Sequence, residues 1–193
     1  MSALTVTLTD ADKQALLRLA RETLERGLST GTIVAPGGFD APAGSALRAP
    51  GAAFVTLTRR DDGSLRGCIG EMEATRPLHA CVMQNAMKAA TRDPRFPPVQ
   101  PYELPGLHLE ISVLTPLRAV GSYAEIELGR HGIMLSKQRR RAVFLPQVAP
   151  EQGWDLPTTL SHLAQKAGLP PDGWRTGATF QVFEAIVFGE ERA

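Results

Sequence analysis

The chain has 193 residues, 43% hydrophobic and 21% charged, with a formal net charge of +1. That length supports one sizeable core with a smaller lobe attached, and the near-zero charge does not draw the whole surface to nucleic acid or an anionic membrane. No apolar run approaches the roughly 18 residues of a membrane span.

The opening residues, MSALTVTLTDADKQ, lack the basic-then-apolar order of a signal peptide. Two cysteines, Cys68 and Cys81, are too few for a disulfide framework. A cytoplasmic protein with free thiols is the expectation.

The first helix is predicted over TDADKQALLRLARETLERG. Thr9 is its N-cap, Asp12 completes a loose capping box, Leu16, Leu17, Ala20 and Leu24 form its apolar stripe, and Gly27 is its stop. Glycine and proline then concentrate in residues 35–53, read as one long loop or insertion. AAFVTLTRR, the turn DDGS and LRGCIG predict a hairpin. On a regular return strand Arg66, Cys68 and Gly70 share a face, with about 6.6 Å between residues 66 and 68.

TRPLHACVMQNAMKAATRD predicts a second helix, with Thr75 near its start and Pro77 in its first turn. Its apolar arc is broad, and His79 and Asn85 fall in or beside it, where a buried polar group needs a partner. Asp93-Pro94 ends the helix, and the prolines from Pro94 to Pro98 fix a stiff turn around Phe96. LHLEISVLTPL reads as an inner strand interrupted by Glu110, and GSYAEIELGR as a short helix or turn capped by Ser122 with Glu125 at the third position. HGIMLS and RAVFLPQV form a hairpin through KQRR, TTLSHLAQKAGLPP a last helix ending at Gly168, and TGATFQVFEAIVFGE one closing strand. The order predicts an α+β fold: a mixed, largely antiparallel sheet packed with helices, with a smaller attached lobe.

Candidate chemistry centres on Cys68. Gly67 and Gly70 permit close approach of backbone or ligand, and the Arg66 guanidinium favours a thiolate and could hold a carboxylate or phosphate bidentately. Against this, cysteine is one of the commonest buried residues and glycines often serve packing. Glu110 is a candidate for orienting a base, binding a cation or pairing with Arg66 or Arg92, against the plain alternative of a carboxylate on a solvated face; His79 and His131 are candidate bases, and such a set works only if its members meet. No HxH, HExxH or CxxC spacing marks a metal site. The run KQRRR, with Arg139, Arg140 and Arg141, is either a partner or phosphate surface or a solubilising turn, and RNA binding is a further alternative.

FVTLTRRDDGSLRGCIGEMEATRPL resembles the signature region of the AMMECR1 family, and NAMKAATRDPRFPPV, LEISVLTPL, GRHGIML and AVFLPQV with LAQKAGLP resemble its successive blocks. The resemblance spans nearly the whole chain and implies a single domain of that type over residues 1–193, with an α+β fold and a smaller lobe. It also implies a cleft motif on Arg66, Gly67, Cys68 and Gly70, with a proline-rich turn on Asp93, Pro94, Arg95 and Phe96. Bacterial and archaeal members are called AmmeMemoRadiSam system protein A, so Memo-like and radical-SAM partners are implied. A non-catalytic adaptor is the alternative to an enzyme. KQRRRAVFLPQV departs from the family's usual shorter, glycine-containing turn, and the stretch before Phe54 looks longer than usual.

Overall fold

The structure, a computed structural model, describes residues 7–31, 41 and 45–191. Within the long loop, residues 35–40 and 42–44 lie outside the described residues, as do 1–6 of the opening segment. The chain divides into two compact units, one of residues 6–114 with 186–193, the other of 115–185 with 1–5.

The first unit carries a sheet of order β2-β1-β3-β8, built from β1 (Ala52–Arg59), β2 (Leu65–Gly70), β3 (Leu107–Leu114) and β8 (Ala185–Gly189). Both β2 and β3 run antiparallel to β1, and β3, flanked by β1 and β8, is an inner strand as its mixed apolar faces predict. Among the described residues the unit also holds the α-helices α1 (Asp10–Thr30) and α2 (Leu78–Thr91) and a 3₁₀ turn, Pro101–Gly106. Val55, Leu57, Leu109, Ile111 and Val113 join Leu16, Leu17, Ala20 and Leu24 of α1 and Val82, Ala86 and Ala89 of α2 in one core.

The capping box of Thr9 and Asp12 forms as the sequence predicts, but α1 does not stop at Gly27. That glycine is buried inside the helix, Leu28 packs on the core, and the chain turns off only at Gly31, which takes a left-handed φ of 72° and donates to Gly27 O. The second helix begins at Leu78. Pro77, expected in the first turn, is instead the N-cap, and it supplies no side-chain bond.

The second unit carries a sheet of order β4-β7-β5-β6, antiparallel throughout, from β4 (Arg118–Val120), β5 (Gly132–Lys137), β6 (Arg140–Phe144) and β7 (Thr179–Phe183). A short helix, α3 (Val148–Gln152), precedes α4 (Leu156–Lys166), whose Leu160, Leu163 and Ala164 pack with Ile133, Leu135, Phe180 and Val182. Ser122 caps a single 3₁₀ turn, Tyr123–Glu125, as predicted. The closing strand is two strands in different sheets. At Glu184, whose N–H donates to Thr115 Oγ1 and whose carbonyl accepts from Thr115 N, the chain leaves β7 for β8.

Candidate functional site

The register between β1 and β2 is irregular where the sequence reading needs it regular. Leu57 faces Gly67 while Thr58 faces Leu65, so Arg66 is the extra residue of a bulge and leaves the alternation that would pair it with Cys68. Its guanidinium is buried, at 4% side-chain exposure, and is filled from within the chain. Nε and Nη2 each donate to a Glu103 carboxylate oxygen at 3.0 Å, and Nη1 donates to Pro97 O at 3.0 Å. The bidentate partner expected of a ligand is therefore Glu103, whose carboxyl is held below its ordinary range first by those Arg66 bonds.

The glycines of the motif are required by packing. A Cβ on Gly67 would lie 2.2 Å from Ala89 O of α2, and one on Gly70 would lie 2.2 Å from the Phe54 ring. Asp93 is buried and staples the proline-rich turn to β2: its Oδ2 accepts from Cys68 N at 2.9 Å. Arg95 Nε donates to Asp93 Oδ1 at 2.9 Å and Nη2 to Oδ2 at 2.7 Å. These Arg95 bonds outweigh burial and, with the Cys68 N–H, hold the Asp93 carboxyl well below the usual carboxylate range.

What remains for chemistry lies on the sheet face turned away from α2. Across β2, β1 and β3 the register aligns Cys68, Thr56 and Glu110 in one row. All three are half-buried. Thr56 Oγ1 donates to Cys68 Sγ at 3.3 Å. The Glu110 side chain makes no hydrogen bond or ion pair among the described residues. Two strand spacings put the backbones of residues 68 and 110 about 10 Å apart, too far for their side chains to meet directly.

The cation beside Cys68 is Arg95. Its side chain is 54% exposed, its Nη2 lies 3.5 Å from Cys68 O, and its guanidinium stands 5.6 Å from the Phe96 ring centre. On the same face, His108 sits two residues from Glu110 and donates from Nε2 to Glu190 O at 2.8 Å. Thr56 and His108 are not among the candidate residues that the sequence marks, although His108 shares Glu110's parity on β3; the alternation of β1, with Thr56 opposite in parity to Val55 and Leu57, is the signal for the first.

The remaining candidates lie elsewhere. Asn85 is fully buried on the core side of the sheet, where Nδ2 donates to Ala53 O at 3.0 Å and to Cys81 Sγ at 3.3 Å, and Oδ1 has no partner among the described residues. Cys81 is fully buried, and burial pushes its thiol up. His79 Nδ1 donates to Leu47 O at 2.8 Å. His131 belongs to the 115–185 unit, where it is buried and its Nδ1 accepts from Glu127 N at 3.0 Å, which puts the ring proton on Nε2. Among the described residues, no three His, Cys, Asp or Glu side chains cluster as a metal site would require, and no helix is long and apolar enough to cross a membrane.

Three comparisons bear on identity. The family model AMMECR1 matches residues 17–188. Protein MK0488 of Methanopyrus kandleri is 42% identical over 95% of this chain and 91% of its own length, and Protein Mbar_A1807 of Methanosarcina barkeri is 39% identical over 95% and 93%. The crystal structure of the uncharacterized protein PH0010 from Pyrococcus horikoshii superposes with a TM-score of 0.82 at 38% identity, covering 91% of this chain and 90% of that one. The residues that carry the sequence signature are thus the ones that hold β2 to α2 and to the proline-rich turn, and the chain belongs to the AMMECR1 family.

Proposed function

We propose that the chain binds a small molecule on the face of its first sheet turned away from α2, along the row Glu110–Thr56–Cys68, with Arg95 at the rim and the Cys68 thiol as the reactive group. One observation carries this reading: Cys68 is half-buried and takes a hydroxyl donor from Thr56, whereas Cys81 is sealed. Arg95 offers a positive charge for a carboxylate or phosphate on the ligand, and the unpaired Glu110 carboxylate can accept a proton from it or bind a cationic group. Arg66, Gly67, Gly70 and Asp93 support the site by holding β2 in place and do not touch the ligand. From the family resemblance, the reading extends to joint action with Memo-like and radical-SAM proteins.

Thiol labelling of the folded protein tests the site. One label per chain is expected, located at Cys68 and lost in Cys68→Ser, with a second appearing only in denaturant. Absence of any label on the folded chain would refute it. Co-purification with a Memo-like and a radical-SAM protein tests the partnership, and failure to associate with either would remove that part of the reading alone.

A further inference from the structure

In the 115–185 unit, β6 is an edge strand whose one neighbour among the described strands is β5. The register decides which of its backbone groups are free. Gln138 and Arg139 form a two-residue turn, with Gln138 at a left-handed φ of 55°, closed by the pair Lys137–Arg140. In such a hairpin the closing pair exchanges hydrogen bonds, and successive pairs then alternate. Leu135–Ala142 and Ile133–Phe144 are therefore bonded pairs, while Ser136–Arg141 and Met134–Val143 are not. The backbone N–H and C=O of Arg141 and Val143 consequently point away from β5. A separate contact agrees: Val143 O accepts from Lys166 Nζ of α4 at 2.9 Å, a partner outside the sheet. The N–H and C=O of Arg141 and the N–H of Val143 are left facing outward.

Charge indicates what fits there. In the same unit Arg118 pairs with Glu125, and Arg130 with Glu127 and Glu184. Arg139, Arg140 and Arg141 are exposed and have no carboxylate partner among the described residues. Arg140 lies over the end of α4, where a Cβ on Gly168 would come within 3.2 Å of its Nη1. Being successive in a strand, Arg140 and Arg141 project from opposite faces. Charged side chains on an edge prevent pairing of like with like, and a second β6 laid against this one would bring arginines together. The same charge favours a strand of opposite sign.

We propose that the β6 edge accepts an extended acidic segment of a partner protein by strand addition, with successive carboxylates of that segment meeting Arg140 on one face and Arg141 on the other. The outward backbone groups of Arg141 and Val143 supply main-chain bonds and the arginines supply selection. This inference goes beyond the thiol site and does not depend on it.

The test uses the whole chain and a capped peptide of sequence Val-Glu-Glu-Val-Thr-Val, read by calorimetry at low and moderate salt. Binding is expected, weaker at the higher salt because the pairs are exposed. Removing the three arginines together (R139A/R140A/R141A) is expected to weaken it at least about tenfold. Val143→Pro removes an outward N–H that the β5–β6 ladder does not use, a change that edge strands tolerate, and is expected to weaken binding by up to about tenfold. The same peptide N-methylated at alternate residues, prepared in both registers, gives a second readout on the unaltered protein, and at least one register is expected to bind more weakly than the parent. The proposal is overturned if the peptide does not bind at low salt. It is also overturned if both N-methylated peptides bind as well as the parent, which is charge attraction without strand addition. Single-stranded oligouridine binding to the arginines while the peptide fails would make the surface a nucleic-acid site instead.

Discussion

Truncating Glu103 to alanine leaves the Arg66 guanidinium buried with Pro97 O as its sole remaining acceptor among the described residues. The same change removes the carboxylate that accepts from Gln100 N at 2.8 Å and caps the 3₁₀ turn Pro101–Gly106. Breaking a buried pair by deleting one partner costs about 3–5 kcal/mol. Glu103 is 17% exposed, so water can reach part of the vacated site, and the lower end, about 3 kcal/mol, applies. For a chain of this size that is a fall of about 6–12 °C in Tm.

The assay must read the unit that is perturbed. Trp154 and Trp174 both lie in the 115–185 unit, so tryptophan fluorescence reports the wrong one. Far-UV circular dichroism is dominated by α1 and α2, of 21 and 14 residues, and follows the right one in urea. The paired change Arg66→Met with Glu103→Leu removes both charges and is expected to recover most of the loss, because a hydrophobic pair of similar volume often replaces a buried ion pair at little cost. A loss below about 1 kcal/mol for Glu103→Ala, the value of an exposed pair, would refute the assignment of Arg66 to the architecture and reopen it as a ligand contact.

Two further outcomes follow from the same geometry. Gly67→Ala is expected to destabilise more than Gly70→Ala, because the first Cβ strikes the Ala89 carbonyl of the α2 backbone and the second strikes the half-buried Phe54 side chain, which can swing to another rotamer; overpacking costs about 1–3 kcal/mol, and equal urea midpoints would contradict the contrast. The folded Asp93 carboxyl titrates below its unfolded value, so its contribution is present above about pH 4 and is lost as pH falls through the folded value. Asp93→Asn is therefore expected to lower stability at neutral pH and to flatten the acid side of the stability profile, and an unchanged acid slope would count against the staple.

What the sequence made legible was local. The Thr9–Asp12 box, the Asp61–Ser64 turn and the Ser122–Glu125 cap join residues a few positions apart, and each forms where it was expected. The site was not legible in the same way because its partners are remote in the chain. Arg66 reaches Glu103 across 37 residues, and Cys68 reaches Asp93 across 25. The bulge that takes Arg66 out of register leaves no mark on composition, since Leu65, Arg66 and Gly67 read as ordinary alternation. The break at Glu184 was hidden for a related reason: apolar alternation continues through it, while the pairing partners change from β4 and β5 to β3. A glycine reads as a stop only when the apolar stripe ends there, and at Gly27 it continues to Leu28.

The rate at which Cys68 is alkylated, followed by peptide mass spectrometry while urea is raised from zero to just below the unfolding transition, tests the account most directly. An accessible half-buried sulfur predicts a rate that is appreciable without urea and nearly flat across that range, with Cys81 silent until the chain unfolds. A Cys68 rate that is negligible in buffer and climbs in step with Cys81 would show that the thiol is reached only by unfolding, and the proposed thiol site would fall.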